Sequence, residues 1–181
     1  REVRKHGATL TDADLAHQVE EELLRLAVVA FAMFNRNRQW TTEAELDADL
    51  SALLGRQPAR RQPGGGLRAE LSAGEQAVGR FFFVHQGSAS RDGKRLHTFE
   101  FLHATFGEYL IGRLIARELS DIARSRMFNR DRARPIDTDD AFLRALLSFA
   151  PLTMRGTAVA FLRELITSWP DDLRQTLRAP V

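Results

Sequence analysis

Between residues 80 and 103 the apolar pattern of this 181-residue chain changes period, and no other feature restricts the fold so sharply. Arg80–His85 (RFFFVH) is a short run of β-formers, and Phe81 and Phe83 in it read as core. His97–His103 (HTFEFLH) alternates, which sets Phe99 and Phe101 on one face of a second strand. Asp92-Gly93 in the polar connection between them is a hairpin turn signal. Two strands joined by that turn, after three helices, make a wing.

The flanks follow helical spacing. Thr11 caps a first helix with Asp12 and Asp14 in its opening turn, and Leu15, Val19, Leu23, Leu24, Leu26, Val28, Phe31 and Phe34 form a broad stripe. Asn35–Arg38 breaks it. An extended stretch at Gln39–Thr41 follows, then a capping box, Thr42-x-x-Glu45, opening a helix through Leu46, Leu50, Leu53 and Leu54. Residues 56–68, rich in Arg, Pro and Gly, read as an exposed loop, and Ser72-x-x-Glu75 opens a short third helix to about Val78. After the second strand, Thr105-x-x-Glu108 reads as another box, heading a long helix over 105–127. Thr138 caps a further helix to about Phe149, Pro151 opens the next segment, and helices follow through Phe161–Ile166 and Asp171–Leu177. The expected fold is mainly α: a winged helix over 1–131, with a two- to three-stranded wing at 80–103. Helical hairpins over 132–181 would begin an α-solenoid-like array.

Composition removes whole classes of chemistry. The chain has no cysteine, hence no disulfide, thiolate metal site or cysteine nucleophile. Its longest clean apolar run, Leu26–Phe34, is too short for a bilayer span, so no membrane association is expected. Net charge is only +2 although the isoelectric point is about 9.6, because 24 arginines and two lysines exceed 24 acids with almost nothing titrating in between. Arg1–Gly7 leads into no apolar h-region, and we expect a segment of a longer, cytoplasmic polypeptide. Gly93-Lys94 and Gly64–Gly66 do not complete a phosphate loop, and no serine lies in a nucleophile elbow. The histidines (His6, His17, His85, His97, His103) lack metal-binding spacing. No enzyme activity and no metal are expected of this chain by itself.

The segment His97–Ala116, HTFEFLHATFGEYLIGRLIA, resembles the winged-helix signature of NACHT-type members of the STAND class of signal-transducing ATPases. There the last wing strand enters the next helix through a phrase like F-x-H-x-[ST]-F-x-E-[YF]-L-x-A. Phe101, His103, Thr105, Phe106, Glu108, Tyr109 and Leu110 match it in register, whereas Gly107 and Ile111-Gly112 depart from it. The resemblance implies a regulatory and interaction module. An ATPase core upstream in the same polypeptide would bind ADP or ATP with Mg, and this chain would hold the ADP-bound closed state. It would relay sensor input to self-oligomerisation, in antiviral defence or transcriptional signalling. The resemblance further implies that His103 contacts the β-phosphate of ADP. Helix N-termini favour anions, which suits the position. The plainer reading of His103 is a junction residue bonding a backbone carbonyl.

Thr105 and Glu108 are expected to cap, and Phe99, Phe101, Phe106, Tyr109 and Leu110 to join wing and helix in the core. The alternative function is a winged-helix DNA-binding domain. Against it, the recognition helix SAGEQAV carries one acid and no Arg or Lys; for it, Arg91, Lys94 and Arg95 lie in the wing.

Overall fold

The computed structural model describes residues 11–54, 84–91, 94–130, 133 and 138–178. The third helix expected over Ser72–Val78, the loop at 56–68 and residues 80–83 lie outside the described residues, as does the Asp92-Gly93 turn itself.

Helix α1 spans Asp12–Asn35. At its start the Thr11 hydroxyl accepts from the Asp14 amide at 3.1 Å, while the Asp14 carboxylate accepts from the Thr11 amide at 3.0 Å. This is the reciprocal capping box, with Asp in the place of Glu. The helix stops at a positive-φ residue, Asn37 (φ 50°). Its N–H reaches the Phe34 carbonyl and that of Arg38 the Met33 carbonyl, both at 2.9 Å, the two closing bonds of a Schellman motif. Leu26–Phe34 is buried without interruption, nine residues spanning every face of the helix. The earlier half is different: Leu15 and Val19, expected in the stripe, are about half exposed.

Strand β1, Trp40–Thr42, leads directly into helix α2, Glu43–Leu54. Here too the capping box forms, with Thr42 N–H on Glu45 at 3.0 Å and Glu45 N–H on the Thr42 hydroxyl at 3.3 Å. Strands β2 (Val84–Arg91) and β3 (Lys94–Phe101) form a hairpin paired from Val84↔Phe101 to Arg91↔Lys94. Gln86–Arg91, expected as a polar connection, is strand, because a two-residue connection brings the partners into register directly after Arg91. The sheet is antiparallel with order β1-β3-β2, Thr41 lying opposite Phe99, and both of these are fully buried.

Helix α3 runs Ala104–Asn129, one residue earlier and two later than expected. Its N-cap is His103, so Thr105 is already the second helical residue and the Thr105–Glu108 capping box does not form. Helix α4, Ala141–Leu147, begins at an Asp140 cap and not at Thr138, and ends before Phe149. A 3₁₀ turn at Leu152–Met154 follows Pro151. Helices α5 (Gly156–Thr167) and α6 (Asp171–Arg178) then close the described chain.

The architecture is mainly helical, with six α-helices and one small antiparallel sheet among the described residues. One buried cluster unites α1 and α2 with Phe99 of β3, with Leu110, Ile111, Leu114 and Ile115 of α3, and with Leu143, Leu146 and Ala158 beyond them. Helix α3 is the spine, packing on α1 along one side and on α5 and α6 along another.

Candidate functional site

The strand-to-helix junction after β3 concentrates the residues of interest. Phe101 ends the strand, Leu102 and His103 bend, and α3 starts at Ala104. His103 has extended backbone geometry (φ −134°, ψ 131°), and its side chain makes no capping bond. The Phe106 amide bonds the His103 carbonyl at 3.1 Å. The first turn of α3 contains no acidic residue, and Ala104 and Thr105 are exposed. A 26-residue helix therefore presents its positive end to solvent, with neither a cap nor a neutralising carboxylate in that turn.

The imidazole of His103 is exposed and packs beside the Phe106 ring, centroids 6.1 Å apart. Leu102 is 53% exposed, Phe106 39% and Tyr109 40%. Two of these correct the expectation of a core role for Phe106 and Tyr109. The buried face of α3 is instead set by Leu110, Ile111, Leu114 and Ile115, while Tyr109 meets Phe161 of α5 edge-on at 5.6 Å. Phe99 and Leu110 are core as expected; Phe101 is half-buried and lies under Gly107, where a β-carbon would stand 3.2 Å from its ring.

Behind the junction is a narrow cleft of about 50 Å³, too small for a nucleotide. Arg38, Gln39, Glu108 and Arg155 line it beside Ala104 and Gly107. Sequence reading singled out neither arginine for this site. Arg38 follows the α1 terminus and Arg155 caps α5, and only tertiary packing brings them to α3. Arg38 is held firmly, its guanidinium stacked 4.3 Å from the Trp40 ring centroid and bonded to Glu45 at 2.6 Å. Burial works against the charge on Glu45, but Arg38 together with the amide and hydroxyl of Thr42 outweighs it and brings the carboxyl down to about 2.

At the far end of the sheet, Arg91 lies opposite Lys94 at the tip of the hairpin. His85 and His97 are both exposed on its strands. Among the described residues no three His, Asp or Glu side chains converge as a metal site, and no helix is long and apolar enough to cross a membrane. No family model, curated protein or solved structure matches the chain.

Proposed function

We propose that this chain is the regulatory and interaction module of a nucleotide-switched STAND ATPase of the NACHT type. In this reading residues 1–131, through the end of α3, are a winged-helix domain, and α4 to α6 begin a helical array that carries the sensor signal. The observation that carries it is His103 at the N-cap of α3, its side chain exposed at an uncapped helix N-terminus. That is where a phosphate would gain both backbone donors and an imidazolium partner. The order α1-β1-α2-β2-β3 with strands arranged β1-β3-β2 supports the winged-helix part of the reading. ADP or ATP with Mg is bound mainly by an ATPase core in the same polypeptide, and the narrow cleft behind α3 contributes no pocket of its own. The polypeptide acts in the cytoplasm, in defence or in transcriptional signalling.

The test is the oligomeric state of the intact polypeptide in ADP and in a non-hydrolysable ATP analogue, for wild type and His103→Ala. Assembly of the variant already in ADP, where wild type stays monomeric, supports the reading. Identical behaviour of the two proteins removes the sensing role.

A second reading is DNA binding through the hairpin, favoured by the basic pair Arg91 and Lys94 at its tip. Duplex affinity falling steeply with salt, with a slope of several ions, would establish it.

A further inference from the structure

The order β1-β3-β2 makes β1 and β2 the edge strands among the described residues. Strand β1 is three residues long and offers a partner little, whereas β2 is eight. The register fixes which main-chain groups of β2 face outward. Arg91 and Lys94 flank a two-residue connection, so that pair exchanges both main-chain bonds, as do Ala89↔Leu96, Gly87↔Thr98 and His85↔Glu100. The residues between them, Val84, Gln86, Ser88 and Ser90, direct N–H and C=O away from β3. No strand among the described residues meets these groups, and Gln86 and Ser88 are exposed.

Edge strands are ordinarily defended by proline, by a charge or by a bulge. The pairing of β2 with β3 runs through eight consecutive positions without a bulge, and Gln86–Ser90 contains neither proline nor a charged residue. The edge is therefore a template for a further strand.

We propose that β2 pairs antiparallel with β2 of a second copy of this chain, joining the two sheets across a two-fold axis at Ser88. Charge selects this arrangement. A parallel pairing would lay the basic tip, Arg91 and Lys94, beside the same tip of the second copy, while the antiparallel one sends the two tips to opposite ends. Centred on Ser88, the overlap sets Gln86 opposite Ser90 and Gly87 opposite Ala89, and over Gln86–Ser90 no charge faces another. The alternative centre, Gly87, would place glycine against glycine and forfeit the central side-chain pair. An unrelated extended peptide would add a strand in the same way, but the uncharged Gln86–Ser90 gives it no charge to read. One pair of strands falls well short of the roughly 1,600 Å² of a stable interface, so the association is weak and depends on concentration. It rests on the sheet alone and not on the nucleotide reading of α3.

The test is sedimentation equilibrium of the 181-residue protein from low micromolar to near-millimolar concentration. The weight-average mass is expected to rise from 20.4 kDa towards twice that value. Ser88→Lys and Ser88→Glu each set like charges opposite one another on the two-fold axis, and each is expected to stay monomeric with wild-type circular dichroism. An equimolar mixture of the two is expected to regain association, because Lys then faces Glu. Should a charge variant lose the circular dichroism signal, Ser88→Pro replaces it, removing an outward N–H and none of the bonds to β3. Wild type at 20.4 kDa throughout, association retained by the folded variants, or a mixture that stays monomeric would each overturn the proposal. The first of these is also the result if the edge accepts a foreign peptide instead of its own copy.

Discussion

Gly112 of α3 lies directly against the backbone of α5: a β-carbon at this position would stand 3.0 Å from the carbonyl oxygen of Ala158 and 3.1 Å from the amide nitrogen of Leu162. These are main-chain atoms of a helix that is itself pinned by its buried Ala158, so neither yields easily. Replacing Gly by Ala inside a helix ordinarily gains about 1 kcal/mol in propensity. Overpacking here is expected to exceed that gain, so that Gly112→Ala loses roughly 1–2 kcal/mol net and Gly112→Val more. Urea denaturation, read as a midpoint shift at constant slope, measures the loss.

Glu45 links stability to pH. Its carboxyl is depressed from 4.5 to about 2, so its stabilisation is complete above 4.5 and is lost as the pH falls through 2. Glu45 is still 31% exposed, which tempers the conversion to energy, and roughly 2 kcal/mol at neutral pH is the expected size. Asp14 and Glu20 are also lowered, the first by the Thr11 hydroxyl and amide, the second chiefly by Arg113. The contribution of Glu45 is therefore read as the gap between wild type and Glu45→Gln. That gap is expected to be widest at pH 7 and to narrow towards pH 2 in thermal melts.

The local signals were legible because their partners are three or four residues apart. Thr11–Asp14 and Thr42–Glu45 contain within themselves both halves of the bond that starts the helix. Thr105–Glu108 carries the same pattern and fails, because α3 begins at Ala104 and takes Thr105 inside its first turn. Nothing in a four-residue motif reports that offset. The apolarity of Phe106 and Tyr109 points to the core, yet which face of α3 is covered depends on α1 and α5, which are distant in sequence. The same holds for Gly112, whose role is set by Ala158, and for Arg38 and Arg155, which meet at α3 only through the tertiary fold.

The α1–α3 ion pair illustrates the weak end of the scale. Glu20 accepts from Arg113, and more distantly from Arg117 at 3.3 Å, yet it is 42% exposed. Glu20→Gln is expected to cost less than about 1 kcal/mol, and that cost is expected to shrink in 0.5 M salt. Denaturation of the pair of proteins at low and high salt checks both statements.

His103 separates stability from function. It supplies no cap bond to α3, so His103→Ala is expected to leave stability within about 0.5 kcal/mol of wild type. His103→Asp adds a carboxylate at the uncapped N-terminus and is expected to stabilise the protein by about 1 kcal/mol. If His103 holds a phosphate, the same Asp would repel it, giving a protein that melts higher and holds ADP less well.

The most direct test of the nucleotide-switch account is the rate at which a fluorescent ADP analogue leaves the intact polypeptide, compared between wild type and His103→Ala. Loss of one charge-assisted hydrogen bond to the β-phosphate predicts release roughly ten- to a hundredfold faster in the variant, with an unchanged melting temperature in the absence of nucleotide. Equal release rates from two equally stable proteins would contradict the account and leave His103 a junction residue at the start of α3.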